Sequence, residues 1–276
     1  MINIYGGILV QKSIEIKNED LTLRGMLHKP ENFNGKLPIV CMFHGFTGDK
    51  LGSHFMFVRL SRILADKGIA SIRFDFIGSG ESDGDFVNMT LSKELEDSRL
   101  ILQYAKSLDF VDEDKIGILG FSMGGAVASM LASEYKETVK TLCLWAPAGN
   151  MAEIAVHGKS EKDIEKVRKI GCYDLDGYLI GIDFIDDLLN TDIFKKSSSY
   201  DKNVLLIHGT NDTSVPISTS EKYLELYGTK GVLHSIPGSN HTFTSKAFEN
   251  EVLDYTVGFF EGELNTTISK FNSLTL

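Results

Sequence analysis

Ser122 stands in Gly120-Phe121-Ser122-Met123-Gly124, a G-x-S-x-G element. An apolar run, Ile116–Leu119, precedes it, and a stretch rich in Ala, Met and Leu follows it. The pattern predicts a strand, a very tight turn and a helix, with the serine strained at the tip and its hydroxyl lifted clear of the sheet. A Cβ at either glycine would collide with the neighbouring strand or helix. A serine hydroxyl is a weak nucleophile at neutral pH, so it needs a base within hydrogen-bond reach and an acid to orient that base. His241, in Pro237-Gly238-Ser239-Asn240-His241, follows one expected strand. Asp212, in His208-Gly209-Thr210-Asn211-Asp212, follows another. Loops at the carboxyl ends of strands in an open α/β sheet converge on one site, so these three residues are the candidates for nucleophile, base and orienting acid. Such a set attacks an acyl carbonyl.

The attack needs donors for the oxyanion. Met123, first in the helix after the elbow, offers one amide. The loop after the apolar run Pro38–Phe43 offers a second at Phe46, where Gly45 lets the backbone approach a carbonyl. Each feature has a plain alternative. The elbow could be a glycine-rich helix start capped by its serine, and Asn211-Asp212 is good turn chemistry. The other place for an acid, after the run Lys140–Trp145, offers no carboxylate until Glu153, which favours Asp212. His44 and His208, both in His-Gly pairs, read as structural hydrogen-bonding residues rather than catalysts.

These residues need a scaffold. Residues 12–18 and 21–29 alternate polar and apolar, as in an antiparallel hairpin at a sheet edge. Pro38–Phe43 is continuously apolar, as in a strand buried on both faces. Residues 53–67 carry helical spacing, 69–74 a strand, 75–86 a glycine- and acid-rich loop, and 91–108 an amphipathic helix. Strands follow at 115–119, 140–145, 203–208 and 231–236, with helices at 217–227 and 245–260. Alternation from residue 38 predicts an α/β fold, a mostly parallel sheet with helices on both faces. The chain divides into a core of 1–149 and 201–262, an inserted cap at 150–200 and a tail from 263 to 276. The insert holds a charged helix-like piece at 161–169 and an apolar piece at 178–189.

The chain has 276 residues and a net charge of −10, which argues against nucleic-acid and anionic-membrane partners. Its 3 cysteines read as reduced thiols, two of them buried. No Cys/His cluster suggests a metal, and no leader or bilayer-length apolar run is read. A cytoplasmic protein is expected, with no metal or cofactor and a small molecule as partner. Homodimerisation through the apolar N-terminal segment or the tail is a further expectation.

H-G-F-T-G, R-F-D-F-I-G-S-G-E-S-D-G, G-F-S-M-G-G, I-H-G-T-N-D and P-G-S-N-H together resemble the α/β-hydrolase serine esterases, over residues 12–262. More closely they resemble the bacterial cinnamoyl and feruloyl esterases. The resemblance implies the α/β-hydrolase fold, with Ser122 as nucleophile, His241 as base, Asp212 as orienting acid, and Phe46 and Met123 as oxyanion amides. It implies an ester substrate and a cap at 150–200 that holds a hydrophobic or aromatic acyl group. Phe184 stands where that subgroup carries a tyrosine; Tyr173, Tyr178 and Asp183 are the polar cap residues that would meet the ring. A peptidase, thioesterase or monoacylglycerol lipase on the same scaffold is the alternative, and a non-catalytic binding protein is the more distant one.

Overall fold

A computed structural model describes residues 9–157 and 160–265. An eight-stranded sheet forms its centre. The strands in chain order are β1 (Leu9–Asn18), β2 (Leu21–Pro30), β3 (Leu37–Phe43), β4 (Ala70–Phe74), β5 (Val111–Phe121), β6 (Val139–Trp145), then β9 (Val204–Gly209) and β10 (Gly231–Ile236) beyond a two-stranded hairpin, β7 (Cys172–Leu175) and β8 (Tyr178–Gly181). The order across the sheet is β1-β2-β4-β3-β5-β6-β9-β10. β1 and β2 form the expected antiparallel hairpin and β2 runs antiparallel to β4, while the pairs from β4 to β10 are parallel.

The helices are α1 (Met56–Asp66), α2 (Leu91–Ser107), α3 (Met123–Glu134), α4 (Met151–Val156), α5 (Glu161–Ile170), α6 (Ile182–Leu189), α7 (Ile193–Ser197), α8 (Ser218–Tyr227) and α9 (Lys246–Leu264). β3 is buried on both faces. Ile39, Cys41 and Phe43 join the core under α2 and α3, while Val40 and Met42 join the core under α1 and α9. That alternation explains why the strand reads as one unbroken apolar run. Cys41 and Cys143 are free and buried, and burial pushes both thiols up to about 12. Cys172 is free and half-buried. Among the described residues no helix is long and apolar enough to cross a membrane.

Several boundaries differ from the expected ones. The helix expected at 53–67 begins only at Met56, because His54 and Phe55 take left-handed backbone angles, φ 52° and 60°. β5 starts at Val111 rather than 115, with an irregular register before Gly117. The apolar piece 178–189 is not one element but a strand followed by α6. Asp176 and Gly177 turn the hairpin at φ 51° and 93°, as the tight two-residue β-turn requires. Within the interval 150–200, α7 lies on core helix α3: the Ser129 and Ser197 hydroxyls are 2.8 Å apart and those of Ser133 and Ser199 2.6 Å. α9 continues to Leu264, two residues into the stretch read as the tail. Residues 1–8 and 266–276, most of the N-terminal segment and tail expected to mediate dimerisation, lie outside the described residues.

The elbow explains its glycines. A Cβ on Gly120 would lie 2.2 Å from the Gly124 carbonyl oxygen, and one on Gly124 would lie 2.2 Å from the His44 carbonyl oxygen. Neither obstacle is a flexible side chain. Gly120→Ala is expected to cost about 1–3 kcal/mol or more, read as a lower urea midpoint; an unchanged midpoint would contradict the close packing.

Candidate active site

Each of the three chemistry-bearing loops leaves the sheet at the carboxyl end of its strand. β5 ends at Phe121, and Ser122 takes φ 55° and ψ −119°, a conformation a side-chain-bearing residue adopts only when its surroundings enforce it. The Ser122 N–H donates to the Trp145 carbonyl at 2.9 Å, and its carbonyl accepts from the Gly125 and Ala148 amides, each at 2.9 Å. The backbone is therefore fixed from both sides. Ser122 is only 9 % exposed.

The loops after β9 and β10 are tied to each other. The Thr210 amide donates to the Ile236 carbonyl at 3.0 Å, and the Asn211 amide to the Ser239 carbonyl at 2.8 Å. Gly209 passes so close that an added Cβ would lie 2.3 Å from the Ser239 carbonyl oxygen. This pairing sets Asp212 beneath His241. His241 Nε2 lies 2.9 Å from Ser122 Oγ, and His241 Nδ1 lies 2.6 Å from Asp212 Oδ2. A carboxylate only accepts, so Nδ1 carries the hydrogen and Nε2 faces the hydroxyl as acceptor. The Phe121 ring lies 5.0 Å from the imidazole, centroid to centroid, and packs against it.

Asp212 has four donors. Oδ1 accepts from the Ser214 and Val215 amides at 2.9 and 2.8 Å. Oδ2 accepts from His241 and also from His208 Nε2 at 3.1 Å. Burial alone would raise this carboxyl. The hydrogen bonds from His208 and His241, the charge on His241 and the Val215 amide outweigh it, and hold the group well below the usual carboxylate range. His208 itself is buried, with Nδ1 2.7 Å from the Ser220 hydroxyl and Nε2 2.9 Å from the Val215 carbonyl. Its contact with Asp212 went unread in the sequence, although four-residue spacing within His-Gly-Thr-Asn-Asp is the signal that would have found it.

The oxyanion candidates, Met123 and Phe46, follow Ser122 and Gly45 directly in the chain. Met123 is the first residue of α3, where an N–H has no acceptor inside the helix. The turn that contains Phe46 closes through the Gly48 amide and the Gly45 carbonyl at 2.9 Å, which leaves the Phe46 amide outside that bond. Gly45 approaches Ser122 so closely that a Cβ there would lie 3.0 Å from the serine Cβ. His44 holds the loop from behind: Nδ1 donates to the Gly45 carbonyl at 2.9 Å and Nε2 accepts from the Phe76 amide at 3.1 Å. Burial lowers its basicity, in keeping with a fixed uncharged tautomer.

Over this rim lies the insert. Phe184, buried on α6, stacks on the Phe46 ring at 5.3 Å, and Phe86 packs against Phe46 at 5.6 Å and against Tyr178 at 5.1 Å. The Tyr178 hydroxyl donates to the Thr47 carbonyl at 3.4 Å. Asp187 of α6 accepts from the Ser92 amide at 2.8 Å and the Ser92 hydroxyl at 2.5 Å, which fastens the insert to α2. Of the four cap residues singled out, Phe184 and Tyr178 join this aromatic wall. Tyr173 is half-buried on the hairpin, and Asp183 is exposed on the first turn of α6. Phe86 is the wall residue that the sequence did not flag; it ends the glycine- and acid-rich loop as an isolated aromatic.

A family model described as the prolyl oligopeptidase family matches residues 54–267, well over half of the chain. The chain belongs to the prolyl oligopeptidase family. Known structures and sequences place this family member among α/β hydrolases. Est1E from Butyrivibrio proteoclasticus, in its ferulic acid complex, superposes with a TM-score of 0.82 and 27% identity, over 92% of this chain and 100% of that one. Palmitoyl-protein thioesterase ABHD10 of Pongo abelii is 25% identical over 247 residues, 87% of this chain and 78% of that protein. An uncharacterized 31.7 kDa protein of Escherichia coli is 30% identical over 92 residues, 33% of this chain and 31% of that one. The first curated relatives are matched over only 31% to 49% of their own length. The architecture is thus the α/β-hydrolase fold that the motifs implied.

Proposed function

We propose that this chain is a serine carboxylester hydrolase that works through an acyl-enzyme on esters of small to medium hydrophobic or aromatic acids. The observation that carries the proposal is the continuous relay from Ser122 Oγ to His241 at 2.9 Å and on to Asp212 at 2.6 Å. In this mechanism His241 takes the hydroxyl proton as Ser122 attacks the ester carbonyl. The Phe46 and Met123 amides receive the oxyanion, and loss of one such donor typically costs about 3–4 kcal/mol of transition-state stabilisation. His241 then protonates the departing alcohol. Water, activated by the same imidazole, releases the acid and restores the serine.

The acyl group would lie against Phe46, Phe86, Tyr178 and Phe184. A wall of four aromatic rings suits an apolar or aromatic acyl chain better than a charged one. The ferulic acid bound to Est1E supports an aromatic acid as the acyl group. Phe184→Ala removes one face of that wall. It is expected to raise KM for methyl cinnamate by about two- to ten-fold and to leave KM for an acetyl ester nearly unchanged; equal changes for both esters would count against the acyl assignment.

Membership of the prolyl oligopeptidase family supports a second reading, in which the same triad cleaves an amide. One panel separates the two: methyl ferulate, p-nitrophenyl butyrate, palmitoyl-CoA, a monoglyceride and an aminoacyl p-nitroanilide. Highest kcat/KM on the carboxylic esters is expected. A preference for the anilide would replace the esterase proposal with the peptidase one.

A further inference from the structure

His208 lies outside the set of side chains that touch a substrate, yet it shares a carboxylate oxygen with the proposed base. Oδ2 of Asp212 accepts from His241 Nδ1 at 2.6 Å and from His208 Nε2 at 3.1 Å. The His208 ring cannot drift. It is fully buried, its Nδ1 meets the Ser220 hydroxyl on α8 at 2.7 Å, and its Nε2 also meets the Val215 carbonyl at 2.9 Å. Both groups facing Nε2 are acceptors, so Nε2 carries the hydrogen; Nδ1 then accepts from Ser220. The ring is thus fixed in one tautomer and bridges β9, the Asp212 loop and α8.

Sharing an oxygen has an electrostatic consequence. A second N–H on Oδ2 withdraws negative charge that would otherwise be directed at His241. The remaining partners of the carboxylate are the Ser214 and Val215 amides on Oδ1, and those of the His241 ring are Ser122 and the packed face of Phe121. His208 is therefore the side chain through which the surroundings of the Asp212–His241 pair can be altered while both of its members stay in place.

We propose that His208 is a positioning residue: its Nε2–H fixes Asp212 Oδ2 and sets how strongly that carboxylate holds the proton gained by His241. This rests on the catalytic roles proposed above for Asp212 and His241, but one arm of its test does not.

The experiment compares His208→Leu, which removes the donor, with His208→Gln, whose amide N–H₂ can reach the same oxygen. H208L is expected to lower kcat on p-nitrophenyl butyrate by about ten- to hundred-fold with KM little changed. Its acid-side limb of kcat/KM should move to higher pH, because an unshared Oδ2 stabilises the imidazolium. H208Q should recover most of both. The independent arm is carbon-13 NMR of the Asp212 carboxyl in the substrate-free protein. With one donor lost, its titration moves to higher pH in H208L, whether or not Ser122 proves to be the nucleophile. Should H208L not fold, Ser220→Ala carries the test, since it frees the Nδ1 side and should produce the same displacement in smaller measure. An Asp212 titration and an acid-side limb that both stay at their wild-type positions would overturn the proposal, even with kcat reduced, because a merely structural histidine moves neither.

Discussion

Ser122→Ala is expected to lower kcat for p-nitrophenyl butyrate by about 10⁴–10⁶-fold while the protein stays folded. The substitution removes one oxygen atom. The side chain is small, and the hydrogen bonds that fix the residue run through its backbone, to Trp145, Gly125 and Ala148. The melting temperature should therefore change little. Selective loss of turnover separates a nucleophile from a serine that merely caps α3. The Ser122 hydroxyl accordingly points to the imidazole at 2.9 Å, and no side-chain cap bond is made to the helix behind it. Activity within ten-fold of wild type would remove Ser122 from the mechanism.

Asp212→Asn should be nearly as damaging, about 10⁴-fold in kcat. An amide in that place presents N–H₂ toward donors on one side, so His241 loses the acceptor that keeps its hydrogen on Nδ1. The same substitution has a signature in stability. In the folded protein Asp212 titrates below the ordinary carboxylate range, against its burial, through bonds from His208 and His241. Its folded value is depressed relative to the unfolded one. Its contribution to stability is therefore complete above the unfolded value and is lost as pH falls from there through the folded value. Asparagine does not titrate. Melting temperatures of wild type and D212N should differ most near neutrality and converge as the pH falls from the ordinary carboxylate range toward the depressed folded value. A gap that widens toward acid would show that Asp212 is not held ionised as described.

The sequence made the core legible for identifiable reasons. β3 is apolar throughout because both of its faces are buried, and β1 alternates because it is the sheet's edge strand, joined to β2 in a hairpin. The elbow was legible because its glycines face backbone atoms that cannot move aside. Order along the chain placed Asp212 and His241 at neighbouring strand ends, and the fold brings both to Ser122. The insert was harder. β7 and β8 have four residues each and sit half-exposed, so they carry little periodicity, and the Asp176-Gly177 turn between them was the signal that went unused. The aromatic wall was hidden for a different reason. Phe46, Phe86 and Phe184 are far apart in sequence, and only packing of the insert on the core brings their rings together. Phe46 was singled out for its amide, not for its ring. The second histidine on Asp212 likewise depends on how the loop after β9 folds back.

Labelling with a fluorophosphonate, followed by tandem mass spectrometry of the digested protein, tests the proposed mechanism most directly. The expected result is a single covalent adduct on Ser122, formed within minutes at neutral pH and greatly slowed in His241→Ala. An unmodified Ser122, or an adduct on another serine with Ser122 untouched, would contradict it.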